Sequence, residues 1–196
     1  MEPELQEKEL ALRAMTRNKL AEIPQSSLME MLAKSRWACD SHWMMAFVIN
    51  TGWETANRAN LEVVRAVGKA EMHRLMALAG IREPSTDDQF RLLIMMAMVI
   101  FTTSDYWEYE TRVLPSGEMK AYITQCYAYT KTKSIGVEKD YQCGCFGLRA
   151  GWYEAMGMSV EETLLSCLKD GDSRCEILVE RRDSLICRQR DGREGR

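Results

Sequence analysis

Five of the seven cysteines lie close together in the last third of the chain, between residues 126 and 175. An Asp-Gly turn flanked by apolar residues separates Cys167 from Cys175, and this pattern predicts a β-hairpin with the two thiols on neighbouring strands. Structural zinc sites typically take thiolate ligands from such local pairs. The sequence therefore predicts a zinc site built from Cys143, Cys145, Cys167 and Cys175, with Cys126 as a further candidate ligand. The alternative is a set of small, buried, reduced cysteines without a metal.

Asp40 and His42 are the candidate catalytic residues outside the cysteine cluster. Helical spacing places Asp40 beside Trp37 and Trp43, and such apolar surroundings raise the pKa of a carboxyl group and suit a general acid or base. The alternative for Asp40 is a surface ion pair with Arg36, four residues earlier. His42 lies on an apolar helix face, which favours a core histidine, although histidine is also a common base for a reactive thiolate.

Aromatic residues provide the candidate ligand-binding surface. Trp107 and Tyr109 alternate with charged residues in a predicted strand, and Trp43 lies on the predicted helix that carries Asp40. The three aromatic residues predict a pocket for a small molecule. For the two strand residues, cross-strand pairs that hold the sheet together are the alternative.

The composition is typical of a soluble protein with a small molecule or another subunit as partner. The 196 residues carry a formal charge of −3, and the pI near 5.6 gives no reason to expect nucleic acid. The longest apolar run, Leu92 to Phe101, is shorter than the about 20 residues that span a bilayer, so no membrane partner is expected. The N-terminal segment lacks the apolar stretch of a signal peptide, and we expect a cytoplasmic protein with reduced or metal-bound thiols.

The helical periodicity of the first half predicts a bundle of helices. A capping box at Ser27 and Glu30 predicts one helix start, and Gly80 is typical of the residue that follows a helix end. Thr51 and Gly52 predict a break between two long helices. The predicted helices span residues 3–22, 28–50, 54–79 and a segment from 84 to about 101.

The period changes after residue 104 from helical to alternating, which predicts strands. Alternation in the second strand places Cys126 on one face with Tyr122 and Thr124. A short helix interrupts the strands, so the predicted fold class is α+β: an N-terminal helical bundle packed on a C-terminal antiparallel sheet with one inserted helix. The predicted strands span residues 107–113, 119–130, 162–168 and 174–180, and the inserted helix spans 147–157.

The predicted domain organisation has three parts. Residues 1–24 form a helical extension, residues 25–181 a single small-molecule-binding domain, and residues 182–196 a flexible tail. Within the domain, residues 25–104 are the helical half and residues 105–181 the cysteine-rich sheet half. The extension carries apolar residues that need burial, either against the rest of the chain or in a homodimer; they are Leu5, Leu10, Leu12, Met15 and Leu20.

The segment from Ser159 to Val179 resembles the closing signature of the 4-vinyl-reductase-type small-molecule-binding domains. In those domains a Glu-rich strand leads to a cysteine, a Gly-Asp turn and a second cysteine before the last strand. The resemblance implies that Cys167, Cys175 and an upstream cysteine bind zinc beside an aromatic-ligand pocket. Leu164 stands where that family has a glutamate ligand. The remaining ligands would then come from Cys143, Cys145, Cys126, Glu161 or Glu162.

The helical half is similar to a prokaryotic family grouped with the L-2-amino-thiazoline-4-carboxylic acid hydrolases. The similarity rests on residues 37–43, Trp-Ala-Cys-Asp-Ser-His-Trp, and on residues 52–56, Gly-Trp-Glu-Thr-Ala. It implies hydrolysis of a C–N bond in a small heterocycle that contains sulfur and nitrogen. We therefore expect a small-molecule-binding protein of this group, with a non-enzymatic ligand sensor that holds a structural cysteine-metal site as the alternative.

Overall fold

The computed structural model describes residues 3–102, 106–115 and 118–182, and for residues 3–5 it describes the backbone alone. Within these described residues three helices come first, and four strands with two short helices follow, so the α+β class predicted from the sequence is confirmed. The elements are α1 Pro3–Ala21, α2 Gln25–Ala79, α3 Asp87–Phe101, β1 Trp107–Val113, β2 Met119–Cys126, α4 Tyr127–Ser134, α5 Cys145–Ala155, β3 Val160–Ser166 and β4 Cys175–Arg181.

The four strands form one antiparallel sheet in the order β1-β2-β4-β3. β3 and β4 pair as a hairpin, and the turn between them contains a single 3-10 turn over Leu168–Asp170. Gly171 ends that turn with φ of 93°, a conformation that favours glycine. The hairpin predicted from the Asp-Gly turn is therefore confirmed, and it brings Cys167 and Cys175 to adjacent chain segments.

α2 is a 55-residue helix with a kink at Gly52, where φ is 78° and ψ is 164°. The break predicted at Thr51 and Gly52 is therefore a kink between two helical segments. The predicted capping box is wrong, because α2 begins at Gln25, directly after Pro24, and Ser27 lies inside the first turn without capping it. Proline before a helix start already fixes the entry of the chain, so no side-chain cap is needed to define it.

The end of the second predicted strand is also corrected. The alternating pattern predicted a strand to residue 130, but β2 ends at Cys126 and the chain continues as α4. The alternation of residues 119–126 runs directly into a helix without an intervening glycine or proline. The helix then ends with Lys131 and Lys133 in its last turn, where cations suit the helix dipole.

Cys126 faces the core, and not the side of the sheet predicted by alternation. Glu108 pairs with Gln125 and Tyr109 pairs with Ile123, so Thr124 is an extra residue in β2, a β-bulge. The bulge shifts the alternation by one residue beyond Ile123. Cys126 is consequently buried together with Ile123, whereas Thr124 is exposed.

The core joins α2, α3, α5 and one face of the sheet, and α2 and α5 cross at very short range. A Cβ on Gly68 would lie 2.1 Å from the carbonyl oxygen of Leu148, and one on Gly151 would lie 2.1 Å from that of Arg65. Both positions therefore require glycine. This crossing fixes the beginning of α5, where Cys145 lies, against the second segment of α2.

No helix in the described part of the chain is long and apolar enough to span a bilayer. The flexible tail predicted for residues 182–196 lies, apart from residue 182, outside the described residues. Every residue from 6 to 27 is exposed, so α1 is not buried against the described remainder of the chain.

Candidate functional site

An apolar cleft opens between the two segments of α2, α4 and the start of α5. Its space amounts to about 840 Å³ when the open mouth is included. The first segment of α2 contributes residues at helical spacing, α4 contributes its inner face, and Trp53 enters from beyond the Gly52 kink. The apolar lining residues are Trp37, Met44, Met45, Trp53, Val64, Tyr127, Ala128, Ile135, Cys145 and Leu148.

The aromatic wall of the cleft is held in place by hydrogen bonds and ring contacts. The indole N–H of Trp37 donates to the carbonyl oxygen of Phe101 at 3.0 Å. The rings of Trp37 and Tyr127 are 5.9 Å apart, and Tyr106 stacks on Tyr127 at 4.5 Å. The hydroxyl groups of Ser41 and Tyr127 lie 3.2 Å apart. Because the polar atoms of the wall have partners within the protein, the wall presents mainly ring surface to a ligand.

Asp40 and Arg36 form the charged edge of the cleft. Arg36 lies 3.7 Å from Asp40 and also pairs with the buried carboxylate of Glu71, which accepts a hydrogen bond from the indole N–H of Trp152 at 3.3 Å. Burial raises the pKa of Asp40, and the positive charge of Arg36 partly offsets this rise. Both sequence interpretations of Asp40 therefore describe its surroundings, since it borders an apolar site and pairs with Arg36.

A second positive charge lies across the cleft from this edge. Lys131 on α4 lines the cleft with an exposed ammonium group 5.6 Å from the centre of the Tyr127 ring. The hydroxyl of Thr132 donates to the carbonyl of Ala128 at 2.8 Å and offers little to a ligand. The cleft thus combines an apolar interior with charged groups at its rim, which suits an apolar or amphipathic molecule.

The other predicted catalytic and ligand-binding residues lie elsewhere. His42 is exposed, and its Nδ1 atom is 2.7 Å from the carbonyl oxygen of Ala38 on the same helix. Trp43 is 72% exposed and lines neither the apolar cleft nor the cavity that contains the clustered cysteines. Tyr109 is half-buried in the sheet, where burial raises its pKa, and it also lines neither cavity. Asp40 is therefore the predicted catalytic residue that the fold brings to the cleft.

A second cavity, which we call the cysteine cavity, contains all five clustered cysteines in its wall. Trp107, the third predicted ligand-binding residue, lines it as well. Cys145 borders both this cavity and the apolar cleft, so the two sites are neighbours. The cysteines come from the end of β2, the start of α5 and the β3–β4 hairpin; they are Cys126, Cys143, Cys145, Cys167 and Cys175.

The thiols are arranged as two pairs. The sulfur atoms of Cys167 and Cys175 are 3.9 Å apart, and the backbone N–H of Leu168 donates to the sulfur of Cys175 at 3.4 Å. The thiol of Cys145 hydrogen-bonds to the sulfur of Cys143 and lowers the pKa of Cys143 to about 6. Burial raises the pKa of Cys126 to about 12.

A single tetrahedral zinc ion requires ligands that converge on one point. Within the described ranges, no three His, Cys, Asp or Glu side chains come close enough together to hold one metal ion. As the thiols stand, they do not fit that requirement, and the zinc site stays a prediction. Glu162 is engaged elsewhere, since Arg149 donates to both of its oxygens at 2.6 and 2.9 Å and Tyr153 donates at 2.6 Å.

Two side chains, those of Asn57 and Lys169, hold the loop that carries the first cysteine pair. The side-chain amide of Asn57 donates to the carbonyl of Asp140 at 2.7 Å and accepts from the backbone N–H of Gln142 at 2.9 Å. The ammonium of Lys169, in the β3–β4 turn, donates to the carbonyl of Tyr141. These contacts connect the loop to α2 on one side and to the cysteine hairpin on the other.

The cleft residues on α4 were not predicted from the sequence. The cleft-lining residues between positions 127 and 135 recur every three or four residues, which is the spacing of one helix face. A strand prediction that extends through Tyr127 obscures this signal. The unpredicted lining residues of this segment are Ala128, Lys131, Thr132 and Ile135.

The fold is shared with a protein of known structure. The chain superposes on trafficking protein particle complex subunit 3 from Naegleria fowleri, solved covalently bound to palmitic acid, with a TM-score of 0.52 and 14% identity over 81% of this chain and 98% of that chain. At this identity the likeness concerns the fold alone. An H-NOX protein from S. oneidensis, solved in the Fe(II)NO state, aligns with a TM-score of 0.42 and 15% identity over 66% of this chain and 71% of that chain. No protein-family model and no curated protein matches the sequence.

Proposed function

We propose that this chain is a small-molecule-binding protein whose apolar or amphipathic ligand occupies the cleft between α2, α4 and α5. The observation that carries the proposal is the lining of the cleft, in which tryptophan, tyrosine and methionine side chains surround the space and charged groups lie at its rim. Binding without chemical change is the simplest use of such a site. The proposed compartment is the cytoplasm, where the free thiols stay reduced.

Two probes follow from this geometry. The dye 1-anilinonaphthalene-8-sulfonate combines aromatic rings with one negative charge and fluoresces in apolar sites, so it reports occupancy directly. Palmitic acid is the molecule held by the Naegleria protein of similar fold, and it is a natural competitor for the dye. We expect one dye molecule to bind per chain and palmitic acid to displace it.

A substitution that fills the cleft tests where the dye binds. Ala128 is half-buried in the cleft wall, so Ala128→Trp places an indole ring in the space for the ligand. We expect this variant to lose at least about tenfold in dye affinity, which corresponds to about 1.4 kcal/mol. The matched control is Ala46→Trp, which adds the same ring at an exposed position of α2 outside the cleft.

Equal dye affinity in Ala128→Trp, Ala46→Trp and the wild type would contradict the proposal. Circular dichroism and the melting temperature of each variant show whether it is folded. A second cleft substitution, Val64→Phe, approaches the same space from α2 and keeps the test independent of α4. Loss of binding in both cleft variants, with unchanged melting curves, supports the assignment.

Hydrolysis of a cyclic C–N bond is the second candidate function, and Asp40 favours it. The carboxyl group of Asp40 borders the cleft with a pKa raised by partial burial, as a general acid or base requires. The resemblance of residues 37–43 and 52–56 to the thiazoline-carboxylate hydrolase group supplies the substrate class. We propose 2-amino-thiazoline-4-carboxylate as the first substrate to test.

The two functions differ in the fate of the bound molecule. A binding protein returns the thiazoline unchanged, whereas the hydrolase opens its ring, and mass spectrometry of the recovered compound separates the two. Turnover should vanish in Asp40→Asn and persist in Asp88→Asn, whose carboxylate is 96% exposed on α3. Equal turnover in both variants would remove Asp40 from the mechanism.

A further inference from the structure

We propose that the cysteine cavity binds a binuclear iron–sulfur cluster, with Cys167 and Cys175 on one iron and Cys143 and Cys145 on the other. The inference rests on how the thiols are grouped, and it does not depend on the ligand proposed for the apolar cleft. Clusters of the [2Fe–2S] type are commonly held by four cysteine thiolates, two on each iron.

The spacing within one pair matches a shared metal. Two thiolates on a tetrahedral metal at about 2.3 Å are separated by about 3.8 Å. The sulfur atoms of Cys167 and Cys175 are 3.9 Å apart in the structure. This pair therefore chelates one tetrahedral metal ion with very little movement of its side chains.

The second pair comes from one short segment. Cys143 and Cys145 flank a single glycine, both line the cysteine cavity, and their thiols interact with each other. The spacing Cys-Gly-Cys holds them at the start of α5, where Asn57 and Lys169 fix the preceding loop. The two pairs belong to different parts of the fold and face the same cavity.

The grouping of the thiols distinguishes a cluster from one ion. In the described part of the chain no three potential ligands converge on a single point, although four paired thiols surround one cavity. The space of that cavity is about 1060 Å³ with its open mouth included. A binuclear cluster uses this arrangement, because each iron takes two thiolates and two bridging sulfides fill the space between the pairs.

Donors in the cavity wall suit a sulfur-rich, negatively charged group. The backbone N–H of Leu168 already points to the sulfur of Cys175, and such N–H···S bonds tune the potentials of iron–sulfur clusters. The indole N–H of Trp107, which lines the cavity, is buried without a hydrogen-bond partner among the described residues. A bridging sulfide would supply the acceptor that this group lacks. Lys169 brings positive charge to the wall beside the carboxylate of Asp170, whereas the charge of Arg149 is balanced by Glu162.

Anaerobic reconstitution of the full chain tests the proposal. The purified protein is incubated with ferrous iron, sulfide and a thiol reductant, desalted, and then oxidised with two equivalents of ferricyanide per chain, which accept one electron from each of the two ferrous ions and give the diferric cluster. Each ligand thiol releases its proton when it binds iron. We expect visible sulfide-to-iron absorption and equal amounts of iron and acid-labile sulfide, two of each per chain.

The variants test each pair separately. Cys167→Ser with Cys175→Ser, and Cys143→Ser with Cys145→Ser, should each abolish the absorption and the bound sulfide. Cys39→Ser, which removes an exposed thiol from α2, is the matched control and should retain both. Serine replaces cysteine with little change in volume, so we expect each variant to fold. Far-UV circular dichroism of the reduced, metal-free chains checks this.

Several outcomes would overturn the proposal. One zinc or iron ion per chain without labile sulfide would assign the cavity to a mononuclear site, and no bound metal would assign it to reduced cysteines. A cluster that survives in a folded variant lacking either pair would place its ligands elsewhere. Dye binding to the apolar cleft is measured on the same samples, so failure of the cluster does not affect the test of the proposed function.

Discussion

Among single residues, Glu71 is a buried carboxylate in the group of charged side chains that it forms with Arg36 and Asp40 at the edge of the cleft. Its side chain pairs with Arg36 and accepts a hydrogen bond from Trp152. Burial nevertheless dominates and raises the pKa of Glu71, while these two partners lower it in part. A folded-state pKa above the unfolded value of 4.5 means that charging Glu71 destabilises the fold.

This shift predicts the pH dependence of the free energy of unfolding. The contribution of the neutral Glu71 side chain to the free energy of unfolding is fully present below pH 4.5. It is lost as the pH rises through the higher pKa that Glu71 has in the folded state. Glu71→Gln lacks this titration. The stability of the wild type relative to Glu71→Gln should therefore fall from about pH 4.5 upward and then level off, as measured by urea unfolding across that range. A difference that increases with pH would show that the ion pair with Arg36 outweighs burial.

Sequence reasoning at this scale succeeded where a local pattern determined the position. The spacing of Cys167 and Cys175 and the turn between them sufficed to predict the hairpin, because a turn is a local property. The surroundings of Asp40 were predicted from helical spacing for the same reason. The exposure of Trp43 depends on which helix face meets the rest of the fold, and helical spacing alone does not contain that information.

At the scale of elements, the crossing of α2 and α5 positions both cavities. Gly151 has its Cα close to the backbone of α2, where an added Cβ would lie 2.1 Å from the oxygen of Arg65 and 2.7 Å from the nitrogen of Lys69. Backbone atoms cannot move aside as a flexible side chain can. Gly151→Ala should therefore destabilise the protein by about 1–3 kcal/mol despite the better helix propensity of alanine.

Thermal unfolding with calorimetry checks this prediction, and the dye affinity reports the effect on the neighbouring cleft. Because Cys145 and Leu148 lie on α5 and line the cleft, a shift of that helix should weaken dye binding as well. An unchanged or raised melting temperature for Gly151→Ala would mean that the helices can separate without cost.

The Gly52 kink directs the first segment of α2 relative to the second, and Met45 and Trp53 line the cleft from opposite sides of it. With φ of 78° and ψ of 164°, this position lies in a region that is essentially restricted to glycine. Gly52→Ala should cost about 1–3 kcal/mol. If the helix straightens, dye affinity should fall together with the melting temperature; a fall in neither would contradict the assigned role of the kink.

The sequence located the elements better than it located their ends. Two features of β2 differ from the prediction. The bulge at Thr124 turns Cys126 to the core, and the strand passes directly into α4. Both arise from tertiary pairing, which alternation in one strand does not contain. As a result, the cysteine cavity was predicted in outline, whereas the α4 wall of the apolar cleft was not.

At the scale of the whole molecule, α1 is a helix that the described remainder of the chain leaves exposed. Its apolar residues Leu10, Leu12 and Met15 are each 60% or 61% exposed. The glutamates of α1 lie in its first half, and Arg13, Arg17 and Lys19 lie in its second half. Leu12 and Met15 share one face of α1, whereas Leu10 lies on the opposite face. Two copies placed antiparallel would match acidic with basic halves and cover Leu12 and Met15, so we propose that α1 mediates a homodimer.

Light scattering tests the dimer. The full chain should have the mass of two copies, and a chain lacking residues 1–22 should have the mass of one. Arg13→Glu with Arg17→Glu should also weaken the dimer, and adding Glu7→Lys with Glu9→Lys should restore it by reversing both halves. A dimer that persists without residues 1–22 would place the interface elsewhere, and a full chain that is monomeric at all concentrations would exclude it.

We claim that the cleft between α2, α4 and α5 is a ligand site, and a crystal structure of the dye complex would show whether the dye occupies it. The claim predicts electron density for the dye between Trp37, Trp53 and Tyr127, with its sulfonate near Lys131 at the rim. Density on the exposed surface of α1, with the cleft unchanged from the ligand-free protein, would contradict it.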